Sequence, residues 1–291
     1  MYIKQIIMGI FNFLNMEKIL SILAISVLLF GCGNAKETNN TGLILEVLDT
    51  SNVIANEDSG YIHPIDEAKT ITDTLVKSDS IETQDLIGKF NYKTHSDFIS
   101  IESKYCSKPI YLRKEVYSKF KEMYASAQKD SCTLTIVSGT RNFYEQKAIW
   151  DRKWSINIAS MDSMASAKKI LLFSSMPSTS RHHWGTDIDL INLNNSYFES
   201  GQGLKEYTWL CENASKYGFC QVYDDKEVTK RTGYELEKWH WSYMPIAVKY
   251  LQKYNELVNY SVINGFTGSN LAKKMNSIEL YVNGIDKLCS E

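Results

Sequence analysis

Several absences narrow this 291-residue chain before any motif is read. It lacks a charge excess: 32 Lys and Arg stand against 34 Asp and Glu, a formal −2. That excludes a protein whose work is to coat nucleic acid, because phosphate binding is driven by clustered Lys and Arg. Its six cysteines include no Cys-x-x-Cys pair, which argues against a zinc knuckle. There is no internal repeat and no low-complexity tract. No apolar run at the N-terminus reaches the roughly 20 residues of a comfortable membrane span; residues 19–30 fall short of it. Histidine is scarce too, at five, so any clustering of histidines carries weight.

What is present begins with a targeting segment. Lys18 precedes the apolar run 19–30, and Leu29-Phe30-Gly31-Cys32 closes it with a small residue before a cysteine. This resembles a bacterial lipoprotein signal over residues 1–31, which implies membrane attachment through a lipidated Cys32 and a place in the cell envelope. Met16-Glu17-Lys18 is a more usual start for such a signal than Met1. Residues 32–88 are polar and acidic and read as a flexible tether. Residues 89–291 read as the folded domain, long enough to bury one sizeable core. Export places the five remaining cysteines where disulfides form, and an odd count leaves at least one unpaired or bonded to another molecule.

Within the domain, Val116, Phe120, Met123 and Tyr124 recur at helical spacing over 112–128. Residues 133–137 alternate and are β-branched, as a strand requires. Helices are expected over 142–153, 160–173 and 205–217, strands over 187–192 and 236–244, and a further helix from Pro245. Strands and helices mix without a strict βαβ rhythm. The expected class is α+β, a small antiparallel sheet carrying the site with helices packed around it.

Three of the five histidines fall in two short segments, Ser180 to Asp189 and Glu237 to Tyr243, together with acids. A catalytic zinc takes three imidazole or carboxylate ligands, an open position, and a nearby carboxylate base. His182 lies in a loop, Gly185 permits a tight turn, and Asp187 and Asp189 share a face of the strand that follows, so either can serve as the carboxylate ligand. In the second segment a regular strand sets Glu237 and His240 on opposite faces. For both to reach one ion, the chain must leave strand geometry near His240.

These segments resemble the signature of the M15 family of zinc peptidases, which includes VanY-type D-alanyl-D-alanine carboxypeptidases. Its pattern S-x-H-x-x-G-x-A-x-D is met by Ser180, His182, Gly185 and Asp189, and E-x-W-H by Glu237, Trp239 and His240. Upstream, Ser138, Gly139, Arg141 and Gln146 resemble the family's S-G-x-R-x-x-x-x-Q. The resemblance implies zinc on His182, Asp189 and His240, Glu237 as catalytic base, Arg141 on the scissile carbonyl or the substrate carboxylate, and Gln146 and Ser180 as substrate contacts. The implied substrate is the peptide stem of peptidoglycan, cut at or near its terminal D-alanine. Asp187 departs from the pattern, standing where a small residue is usual; it either holds a ligand or Arg141 from behind, or competes with Asp189 for the metal. His183 and Trp184 match no fixed position and are expected in the cleft wall. Loops 151–180 and 197–204 are expected around the cleft.

Other readings compete. A serine D,D-peptidase would use S-x-x-K, present at Ser118 to Lys121 and at Ser166 to Lys169, but the companion S-x-N is missing and Lys230 to Gly233 only loosely imitates K-T-G. A non-enzymatic wall-binding lipoprotein is expected to have lost a ligand or the base, and none is lost. Carboxypeptidase (D,D or L,D), D,D-dipeptidase and endopeptidase activities share the same centre.

Overall fold

The computed structural model describes residues 81–289; the expected signal segment and most of the tether lie outside the described residues. The chain runs through α1 (Thr83–Leu86), β1 (Phe98–Ser100), β2 (Tyr111–Arg113), α2 (Lys114–Lys129), β3 (Ile136–Ser138), α3 (Phe143–Ile158) and α4 (Ser163–Ile170). A 3₁₀ turn (Arg181–Trp184), β4 (Asp187–Leu190), α5 (Gly201–Asn213), β5 (Phe219–Cys220), α6 (Lys226–Thr229), β6 (His240–Tyr243) and α7 (Met244–Leu257) follow. β1 and β2 form a two-stranded pair, and the central sheet is antiparallel in the order β3-β4-β6-β5. The class is α+β. Among the described residues no helix is long and apolar enough to cross a membrane.

Alternation along the two central strands builds the molecule in layers. Ile188, Leu190, Trp241 and Tyr243 point to one face and join Val116, Phe120 and Met123 of α2 and Leu210 of α5 in one core. Asp187, Asp189, His240 and Ser242 occupy the opposite face, where Asp189 pairs with His240 and Asp187 with Ser242 in register. A second core of Trp150, Trp184, Tyr250, Tyr254 and the C-terminal Leu271, Ile278 and Val282 lies beyond this polar face. The site is therefore walled by hydrophobic packing on both sides.

Two expected boundaries move. The packed region begins before Lys89: Leu86 and Ile87 are buried, the Leu86 carbonyl accepts from Trp184 Nε1 (3.1 Å), and the Gly88 carbonyl accepts from the Phe143 N–H (2.8 Å). Gly88 adopts φ +73°, and a Cβ there would meet the His183 ring at 2.4 Å, so only glycine lets this segment close on the loop that carries the histidines. The strand expected over 236–244 is confined to β6. Glu237 to His240 is instead a turn closed by the His240 N–H on the Glu237 carbonyl (3.2 Å). Asn195 holds that turn from outside, its side chain donating to the Leu236 carbonyl (2.7 Å) and accepting from the Lys238 N–H (3.1 Å). This is the departure from strand geometry that a joint site of Glu237 and His240 demands.

Cys220 and Cys289 form a disulfide across 69 positions with Cα atoms 5.7 Å apart, while Cys106, Cys132 and Cys211 are free. It ties the C-terminal segment to β5. On chain-entropy grounds a Cys220→Ser, Cys289→Ser variant is expected to lose about 4 kcal/mol of unfolding free energy, read from its denaturant midpoint against the parent.

Candidate active site

His182 stands in the 3₁₀ turn between two sheet-bound segments. Gly185 ends that turn at φ +72°, where a Cβ would collide with the Phe98 ring at 2.3 Å. A register shift between Ile136 and Ser138 brings the end of β3 alongside, and the Gly139 carbonyl meets His182 Nδ1 at 2.8 Å. That bond fixes the proton on Nδ1 and turns Nε2 toward Asp189 Oδ1, 3.4 Å away. His240 Nδ1 lies 3.0 Å from the same oxygen, and the two imidazoles meet edge to face with centroids 4.9 Å apart. His182, Asp189 and His240 are thus brought together, one donor atom from each lying within 4.8 Å of the others. Tetrahedral zinc with bonds near 2.0–2.1 Å needs donors about 3.3 Å apart, and this cluster fits it.

The structure separates the two aspartates. Asp187 is fully buried and saturated: Oδ2 accepts from Arg181 Nε (3.0 Å) and from His240 Nε2 (2.9 Å), and Oδ1 from Thr186 Oγ1 (2.6 Å) and Ser242 Oγ (2.8 Å). Burial opposes its ionisation, yet Arg181 and His240 hold its carboxyl well below the usual range. Asp187 therefore grips the far nitrogen of His240 and leaves Nδ1 toward Asp189, the placement of a carboxylate behind a metal-binding histidine. Asp187→Ala is expected to weaken zinc binding by about 10–100-fold while one zinc still binds, measured by chelator competition.

Glu237 sits 3.7 Å from His240 Nδ1, 5% exposed, with its carboxyl raised to about 8 by burial. His240, though buried, is raised to about 9 by Asp187 and Asp189, whereas burial keeps His182 below its ordinary value and neutral. At pH 7 the metal-free site thus holds protons on His240 and Glu237, both above the ambient pH. An ion must displace the proton on His240 Nδ1, and its charge favours loss of the one on Glu237. Zinc affinity is therefore expected to rise as pH increases from 7 toward 9, by about tenfold per unit for each proton released. Calorimetry in buffers of different ionisation enthalpy would count those protons.

The donors lie at the floor of a cleft of about 610 Å³. Arg141 lines it with a guanidinium 4.0 Å from Asp189 Oδ2, and is held by its backbone: the N–H donates to the His182 carbonyl (3.1 Å), and His183 Nδ1 meets its carbonyl (2.7 Å). Asn142 follows as the cap of α3, in a reciprocal box with Glu145. Gln146 also lines the cleft; its Nε2 donates to the Ser175 carbonyl (2.8 Å), and its Oε1, like Arg141 Nε, has no partner among the described residues. Ser180 is 1% exposed and is not among the lining residues.

His183 and Trp184, expected in the wall, instead lie behind the loop. His183 accepts from the Ser178 N–H at Nε2, and Trp184 packs on Tyr250 and Tyr254. Of the two segments expected around the cleft, 151–180 supplies Arg152, Lys153 and Phe173 to Ser175; 197–204 supplies none of the lining, and Leu193 to Asn195 line it instead. The sequence reading missed Tyr223, which stacks on His240 with centroids 4.6 Å apart; Lys153, which follows Gln146 by seven positions on α3, fell within the expected segment 151–180 but was not singled out. That helical spacing was a usable signal for Lys153; none existed for Tyr223.

An α+β domain with two imidazoles and a carboxylate converging in an open cleft, and a desolvated glutamate beside them, has the groups that a zinc peptidase site requires. More specifically, residues 109–246 match the family described as VanY, D-alanyl-D-alanine carboxypeptidase. Two curated relatives agree. The YodJ protein of Bacillus subtilis is 32% identical over 138 residues, 46% of this chain and 46% of its own length. A D-alanyl-D-alanine carboxypeptidase of Enterococcus faecium is 27% identical over 150 residues, 51% of this chain and 43% of its own. The chain spans about half the length of these curated relatives. Among solved structures, VanYB in complex with D-alanine-D-alanine aligns with a TM-score of 0.43 at 18% identity, covering 66% of this chain and 88% of that one.

Proposed function

We propose that this protein is a zinc-dependent carboxypeptidase of the cell envelope that removes the terminal D-alanine from peptidoglycan stem peptides. The observation that carries the reading is Glu237: a buried carboxyl beside one histidine of the donor cluster, facing an open cleft. The family match and the Enterococcus faecium relative support the substrate class.

His182, Asp189 and His240 would hold the zinc, with Asp187 orienting His240. Bound there, zinc would supply Lewis acidity for a water and for the scissile carbonyl. Glu237 accepts the attacking water's proton and delivers it to the leaving amine, a role suited to a carboxyl whose surroundings favour the neutral acid once the proton arrives. Arg141 stabilises the charge that builds on the carbonyl oxygen, and its unpartnered Nε leaves it a donor for substrate. Gln146 Oε1 accepts from a substrate N–H, and Ser180 supports the histidine turn, its carbonyl accepting from the His183 N–H (3.1 Å). Lipidation at Cys32 would anchor the domain to the membrane.

The testing experiment supplies a pentapeptide ending in D-Ala-D-Ala, a tetrapeptide ending in a single D-Ala, and cross-linked muropeptides, each with zinc and with chelator, and reads products by mass. Chelator-sensitive release of one D-alanine from the pentapeptide is expected. Trimming of the tetrapeptide alone would establish an L,D bond instead, and cleavage of cross-links alone an endopeptidase. No cleavage by the zinc-loaded protein would overturn the reading.

A further inference from the structure

The cleft carries more positive charge than one C-terminal carboxylate requires. Arg141, Arg152 and Lys153 all line it. A fourth cation, Arg181, is committed to Asp187. Arg141 lies against Asp189, but Lys153 and Arg152 have no such partner. Lys153 Nζ donates to Ser174 Oγ at 2.5 Å, a neutral acceptor. Asp151, the acid next to them on α3, is paired with Lys147. No described carboxylate lies within ion-pair distance of either group. A half-buried ammonium without a counter-charge has lost hydration and gained no anion for it. Burial accordingly lowers the Lys153 pKa, while Glu237 acts against that.

The geometry says where an anion would fall on a substrate. Gln146, Ile149 and Lys153 share one face of α3, and seven helical residues advance about 10 Å. An extended peptide advances about 3.3–3.6 Å per residue, so groups meeting Gln146 and Lys153 are about three residues apart. The cleft lining also includes apolar groups, with Phe173 and Leu193 44% and 52% exposed and Trp239 beside Phe173. A chain in this cleft would find its cationic partners on α3 and at Arg141.

We propose that Lys153, with Arg152 at the rim, forms an anion subsite for a second carboxylate of the peptide substrate, one borne N-terminal to the scissile bond and within about three residues of it. The assignment rests on the carboxypeptidase reading above. It goes further by requiring a substrate with a free carboxylate besides the terminal one.

The test uses pentapeptides ending in D-Ala-D-Ala, made as twins that carry either a carboxylate or a carboxamide at the third residue, and then at the second. For the parent enzyme, kcat/KM is expected to favour one carboxylate peptide over its carboxamide twin by about tenfold or more, mostly through KM. Lys153→Gln should bring that ratio near one, and Lys153→Arg should restore it. Zinc content and thermal midpoint of each variant guard against misfolding. No preference by the parent at either position would overturn the subsite. So would an unchanged ratio in Lys153→Gln, or an equal loss on both twins, which would make Lys153 a reader of the terminal carboxylate. If the zinc-loaded parent cleaves neither twin, the carboxypeptidase reading itself fails, and the subsite falls with it.

Discussion

Replacing Glu237 by glutamine is expected to lower kcat by about 10³-fold or more and to leave one zinc per chain. The size follows from the proposed role, since a positioned general base contributes about 10²–10⁴-fold and this one would also return the proton to the leaving amine. Retention of metal follows from geometry: His182, Asp189 and His240 form the donor cluster without Glu237. Glutamine keeps the shape of a side chain that is 5% exposed, so packing is preserved while the proton acceptor is lost. Steady-state kinetics with metal analysis on the same sample checks this. Normal turnover would show that the base is elsewhere, and loss of zinc would make Glu237 a ligand.

His240→Ala should act in the opposite sense and abolish zinc binding at micromolar metal. It removes one of three donors and also unbalances what surrounds it. Asp187 and Asp189 both bond His240, so its loss leaves two buried carboxylates with fewer partners. Breaking a buried charged pair by removing one partner costs about 3–5 kcal/mol, so a lower thermal midpoint is expected alongside the metal loss. Zinc analysis after gel filtration and a thermal melt read both. If the variant still binds one zinc with the parent's affinity, the ligand set is wrong. The contrast with Asp187→Ala, expected to weaken binding and keep the metal, separates a ligand from the group that orients it.

Much of the site was legible because its chemistry is carried by residue type. Two histidine-bearing segments with adjacent acids, in a chain of five histidines, nominate a metal centre without any structure. Which aspartate joins the donor cluster was not legible from periodicity, because Asp187 and Asp189 share a face. What separates them is long-range, namely the strand register and the Arg181 side chain beside Asp187. Glu237 shows a similar limit. Alternation around it reads as a strand, and the turn that brings it to His240 is clamped by Asn195 from more than 40 positions away. Leu86 and Ile87 are two apolar residues in a polar stretch and read as tether, until Trp184 supplies something to pack on. The Cys220 to Cys289 pairing likewise needed the fold.

The most direct measurement is anomalous diffraction at the zinc edge from crystals of the zinc-loaded protein. One peak is expected at about 2.0–2.2 Å from His182 Nε2, an Asp189 carboxylate oxygen and His240 Nδ1, with Asp187 still on the far nitrogen of His240. A peak bonded to Asp187, or one outside this cleft, would contradict the account.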